Sequence, residues 1–348
     1  MIRFLQFLCL ALCVACQTAG RDVRPAGAVA IEGRAVFAGD GSLTVHWPGS
    51  GARWMFTGDH LEADIEAETG DSWLNVTVDG VRRALQLKEG QHTYTLVEDA
   101  GAVLVDVSVT RRTGPQTGAV TFTAFRGGEI APTPTRLRKV LIFGDSITVG
   151  YGVLGENERC GYSPDTEDYG ETYAAALGGA FEAEVHAVAV SGRGIVRNWD
   201  GGEGAVFREM WAWMTPEGAP WDAGLFQPDA VLIALGTNDF STADPGPAYA
   251  EAYANLLTQL SETYPGARIY AVTGPMLQPE AQALQDKAIE DALSASGVDT
   301  GRIHFTLSPS GRVRGCHSHP GLDTQALMAR EVIRVLSEDL GWDVLQAD

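Results

Sequence analysis

From Ala30 to about Arg126 the chain alternates apolar and polar residues in short runs: Leu43–Trp47, His60–Glu66, Trp73–Val78, Arg82–Leu87, Ala102–Val109 and Ala119–Phe125. Alternation of period two gives a strand one buried and one solvated face. Asp40-Gly41, Asp79-Gly80 and Glu89-Gly90 fall between runs as turn signals. About eight strands at this spacing predict an all-β jelly roll or β-sandwich over residues 30–128. Trp47, Trp54 and Trp73 read as core side chains before they read as a sugar platform.

Beyond a Pro132- and Pro134-containing connector, residues 129–138, the period changes. Solid apolar runs at Val140–Phe143, Val185–Val190, Ala230–Leu235, Ile269–Val272 and Ile303–Phe305 alternate with stretches of helical period. Those stretches are Glu171–Phe181, Ala248–Tyr264, Glu280–Ser296 and Thr324–Leu340. The pattern predicts a three-layer α/β domain with a parallel sheet over residues 139–348.

The start of the chain reads differently. MIRFLQFLCLALCVAC carries one basic residue and an apolar run short for a bilayer span, so residues 1–15 read as an export signal. Ala15-Cys16 resembles the end of a bacterial lipobox, with Cys13 where leucine is usual, and makes Cys16 the lipidation candidate. Gln17 after it, rather than an aspartate, points to the outer membrane in a Gram-negative cell; simple cleavage to a periplasmic or secreted form is the alternative. Residues 16–29 would be the tether. Only Cys160 and Cys316 remain outside the leader, and two thiols in an exported chain are disulfide candidates.

Composition narrows the functions. Of 348 residues 45% are hydrophobic and 20% charged, as in a soluble globular protein. A net charge of −20 repels nucleic acid and anionic membranes, leaving a lipid anchor as the route to a membrane and favouring a neutral substrate. No metal-ligand spacing occurs, and no cofactor or metal is implied. Nothing in the pattern specifies an oligomeric state.

Four stretches carry chemistry. KVLIFGDSITVGYG ends an apolar strand in a turn that presents Ser146 at the carboxyl edge of the sheet. SGRG, residues 191–194, follows the second strand and offers the Gly192 N–H; GTND, residues 236–239, follows the third and offers the Asn238 amide. GCHSHP, residues 315–320, places His319 just before the last helix. Singly these read as a helix cap, a tight turn, an Asx-turn and a surface loop. Together, in sheet order, a serine, two oxyanion donors and a histidine are what acyl transfer needs.

These blocks resemble the SGNH or GDSL hydrolases from Lys139 to about Leu340. GDSITVGYG, SGRGIVRN, LGTNDFS and GCHSHP behind a jelly roll look more narrowly like carbohydrate esterase family 2, whose members deacetylate xylan, mannan or related sugars. The resemblance implies a flavodoxin-like three-layer fold and an acetylated carbohydrate as substrate. It assigns Ser146 as nucleophile and first oxyanion donor, Gly192 and Asn238 as further donors, and His319 as base.

The chain departs from the family before the histidine. The position that often holds an acid three residues ahead is Cys316, and two residues ahead it is His317. We therefore expect a Ser146–His319 dyad whose ring is oriented by a carbonyl or another uncharged group, with Asp323 the nearest competing acid. Cys160 and Cys316 flank two of the blocks, which brings their loops to one sheet edge and predicts a disulfide pinning the His loop. Trp199, Trp213 and Trp221, in an insertion that also holds Trp211, are candidates to stack on sugar rings or to pack that insertion. Other activities on this plan are a lipase or thioesterase, an esterase on cell-envelope glycan, and a carbohydrate-binding protein without turnover.

Overall fold

The computed structural model describes residues 29–98, 101, 103–202, 204–309 and 313–345. The expected leader, Cys16 and the tether as far as residue 28 lie outside the described residues. The first domain is built from β1 (Ala30–Glu32), β2 (Leu43–Val45), β3 (Gly51–Ala67), β4 (Trp73–Val78), β5 (Val81–Gln86), β6 (Gly90–Glu98), β7 (Leu104–Arg111) and β8 (Val120–Ala131). All of their pairings are antiparallel.

One 17-residue strand, β3, organises this domain. Its first half pairs with β1, β7 and the end of β8, and its second half with β6 and the start of β8. Between the halves the register with β8 shifts around Gly58, whose φ is +150° and where a Cβ would stand 2.8 Å from the Gly128 Cα, leaving no room for a side chain. Expectation placed a strand only at His60–Glu66, and it found no strand at β6, whose first half is polar and exposed. Strand β8 also runs three residues into the expected connector, because Glu129, Ile130 and Ala131 pair with Thr57, Phe56 and Met55. Trp54, Phe56, Phe122 and Phe125 fill the centre. Trp47 and Trp54 are fully buried core side chains, whereas Trp73 is half-buried and lies under the Arg112 guanidinium.

The second domain runs β9 (Arg138–Gly144), α1 (Ser146–Val149), α2 (Tyr173–Phe181), β10 (Ala183–Ala189), α3 (Phe207–Met210), β11 (Ala230–Ala234), α4 (Thr237–Phe240), α5 (Pro247–Thr263), β12 (Arg268–Thr273), α6 (Pro279–Ser296), β13 (Thr300–His304) and α7 (Leu322–Leu340). The strands lie parallel in the order β10-β9-β11-β12-β13. Alternate residues feed opposite faces. Val140 and Ile142 pack with α2 and α7, whereas Leu141 and Phe143 pack with α3, α5 and α6. In this strand order β9 is flanked by β10 and β11, so the chain reverses direction across the sheet beside it, the switch point at whose carboxyl ends open α/β sheets bind ligands.

Candidate active site

The apolar run of β9 stops at Gly144, where a Cβ would stand 2.1 Å from Thr148 Oγ1. Asp145 caps α1: its Oδ1 accepts from Ile147 N at 3.0 Å. Ser146 is thereby the first residue of α1, 7% exposed. The helix is tied down behind it, since Gln325 Nε2 donates to Ile147 O at 2.9 Å and Thr148 Oγ1 bonds Tyr173 OH at 2.7 Å.

The His loop closes over this turn. Gly152 O accepts from Cys316 N at 3.1 Å, and a Cβ on Gly315 would stand 1.9 Å from Gly152 O, so the two segments meet only because glycine occupies this position. Cys160 and Cys316 form a disulfide with α-carbons 4.6 Å apart. His319 Nε2 lies 2.8 Å from Ser146 Oγ, and its Nδ1 lies 3.2 Å from Cys316 O. A carbonyl only accepts, so Nδ1 carries the hydrogen and Nε2 is left to accept from the serine. Among the described residues no carboxylate bonds His319. Burial lowers its pKa to about 4.

The backbone N–H groups of Ser146 and Gly192 have no hydrogen-bond acceptor among the described residues. Gly192 has φ +81°, and Trp199 N donates to its carbonyl at 3.0 Å. The loop beyond is shaped by Asp239, which accepts from Ile195 N, Val196 N and Arg197 N at 2.9, 2.8 and 3.0 Å. Asn238 reaches the site in a different state from the expected free donor. Its Nδ2 gives hydrogens to Asp145 Oδ2 at 3.1 Å and Arg193 O at 2.9 Å.

A hydroxyl hydrogen-bonded to an accepting imidazole, beside free N–H groups at a sheet edge, is equipped for acyl transfer. Comparison with known proteins agrees with that chemistry. Residues 142–302 match the GDSL-like Lipase/Acylhydrolase family, and residues 31–134 match the carbohydrate esterase 2 N-terminal domain. The chain thus pairs a GDSL-like lipase/acylhydrolase domain with a carbohydrate esterase 2 N-terminal domain. An acetylxylan esterase / glucomannan deacetylase of Cellvibrio japonicus is 28% identical over 90% of this chain and 89% of its own length. The cellulase/esterase CelE of Acetivibrio thermocellus is also 28% identical, over 85% of this chain, which spans 38% of that larger protein. Among solved structures, a family two carbohydrate esterase from Clostridium thermocellum in complex with cellohexaose superposes with a TM-score of 0.86 at 26% identity, over 90% of this chain and 99% of that one.

Around this site the candidate tryptophans separate. Trp199 is 59% exposed and lies against Gly192. Trp211, Trp213 and Trp221 instead pack on the core formed with α3 and α5, and Trp221 lies under the Arg34 guanidinium. Trp213 and Trp221 are half-buried, with part of each ring taken up in that packing. Sequence reasoning passed over Asp145, Asp239 and Tyr151. The first two are acids inside otherwise uncharged blocks, and that contrast was the available signal. Burial pushes Asp145 up to about 7 and Asp239 up to about 6, the latter against the pull of its three amide donors.

Proposed function

We propose that this protein is a serine esterase that removes O-acetyl groups from xylan- or glucomannan-type polysaccharide. The carrying observation is the 2.8 Å contact between His319 Nε2 and Ser146 Oγ, with Nδ1 held by Cys316 O. As Ser146 Oγ attacks the acetyl carbonyl, its proton passes to Nε2, and the oxyanion forms against the Ser146 and Gly192 N–H groups. Asn238 joins them by sharing a hydrogen now given to Asp145 or Arg193. Collapse of the tetrahedral intermediate expels the sugar oxygen, which takes the proton from Nε2 and leaves acetyl-Ser146. Water then attacks the acyl-enzyme with Nε2 again as base, releasing acetate. Exposed Trp199 beside Gly192 offers an apolar face to a sugar ring. The glycan substrate is supported by the relatives' activity on acetylated xylan and glucomannan.

The test is acetate release from acetylated xylan, glucomannan and peptidoglycan. Ser146→Ala should leave only the residue of about 10³- to 10⁴-fold catalysis that binding and an oxyanion hole supply. Full turnover by that variant would end the proposal, and release from peptidoglycan alone would move the substrate to the cell envelope. Export as a surface lipoprotein is a further part of this reading, supported by the leader pattern and Cys16. Palmitate labelling that persists in Cys16→Ser would refute the anchor.

A further inference from the structure

One side chain touches both histidines of the His loop. Tyr151, half-buried two residues after α1, stacks its ring on His319 with centroids 4.2 Å apart and planes at 29°. Its hydroxyl is 2.8 Å from His317 Nδ1, and Tyr162 backs it at 5.0 Å. His317 and Ser318 hold φ values of +50° and +61°, conformations that persist in non-glycine residues only when their surroundings impose them. The Tyr151–His317 bond, the disulfide and His317 N donating to Cys160 O at 3.0 Å are what impose them here.

In a triad the carboxylate does two things: it orients the imidazole and it stabilises the imidazolium formed in the transition state. Cys316 O does the first, but a neutral carbonyl brings no full charge to the second. We propose that Tyr151 is a positioning residue that fills this second role, its electron-rich face lying on the His319 ring and stabilising the imidazolium. This deepens the proposed esterase mechanism and rests on it. A ring stacked on the imidazole face leaves both in-plane nitrogens free for Ser146 and Cys316, as observed. Cation–π attraction operates within about 6 Å of a ring centroid, so a 4.2 Å stack is well inside its range. The Tyr151 hydroxyl, anchored on His317, fixes the ring at that height. The other titratable groups facing the stack are His317 on the same loop, Tyr162, and Glu167, whose carboxyl acts on both tyrosines.

The experiment uses the full chain and p-nitrophenyl acetate, which lacks a sugar and so separates this role from glycan binding. Tyr151→Leu should lower kcat by about 3- to 30-fold, the range a cation–π contact supplies. KM should change less than about twofold, and the acid limb of kcat/KM should not rise. Tyr151→Phe keeps the ring face and should restore kcat to within about threefold of the parent. Pentafluorophenylalanine at the same position keeps the shape but reverses the ring's electrostatics, so it should lower kcat as leucine does even if the leucine variant folds poorly.

Unchanged kcat with leucine or with the fluorinated ring overturns the proposal, as does a phenylalanine variant that falls as far as leucine. So does an acid limb moved up towards pH 6.5, which would assign Tyr151 to keeping water out. Ser146→Ala in the same assay separates the two levels. If it keeps turnover, the esterase mechanism fails and this inference with it; if it is inactive while Tyr151→Leu is not impaired, only the role of Tyr151 fails.

Discussion

A buried histidine with a carbonyl for a partner titrates low, because burial penalises the imidazolium and nothing anionic offsets it. The base must be neutral to accept the serine proton, so activity should survive acidification until His319 itself is protonated. The acid limb of kcat/KM, which reports the free enzyme, should therefore lie near pH 4 rather than near the ordinary histidine value of about 6.5. A limb close to 6.5 would mean that His319 meets a counter-charge or water in solution. Ser146, Gly192, Asn238 and His319 were legible in the sequence because each belongs to a block at a strand end or before the last helix. The hydrogen bonds of Asn238 and the stack of Tyr151 were not legible, since both depend on where the side chain of another loop comes to rest.

Strands and long helices followed from periodicity, and the predicted Glu280–Ser296 helix differs from α6 by one residue. Short elements escaped because four residues carry too little period: α1, α3 and α4 are set by a cap or by tertiary contacts. The His loop is the element most dependent on such contacts. It is held by Gly152 O, by Cys160 O and by the Cys160–Cys316 bridge, which spans 156 residues. A cross-link closing a loop of that length contributes about 5 kcal/mol in the chain-entropy account. Cys160→Ser with Cys316→Ser should lower the unfolding free energy by about that amount. It should also reduce kcat more than it raises KM, because the freed loop no longer holds His319 at Ser146. Chemical denaturation and acetate-release kinetics check the two halves, and unchanged kcat in the double variant would show that the backbone bonds suffice.

At the scale of the molecule the change in hydrophobic period located two domains, but no local signal announced how they share a core. Trp47, a residue of the β-domain, is fully buried among Leu141, Phe143 and Tyr253 of the α/β domain and donates from Nε1 to Met214 O at 2.7 Å. Met214 in return packs on the β-domain core. Arg34 donates to the carbonyls of Trp211 and Trp213 at 2.9 and 2.7 Å, so the β-domain grips the insertion that also carries Trp199. Charged pairs seal the same junction, Glu32 with Arg136 at 2.7 Å and Arg112 with Asp168 at 3.1 Å. Domains joined through side chains buried in each other's cores should unfold together, unlike domains that touch through a small polar surface. Calorimetry should show one transition. Trp47→Ala removes a buried indole and its hydrogen bond, at a cost of about 3–5 kcal/mol for the truncation. That loss should move the whole transition down rather than split it. Two resolved transitions in the parent, or a Trp47→Ala profile in which only one moves, would show that the β-domain is an independent module and not the support of the insertion that carries Trp199.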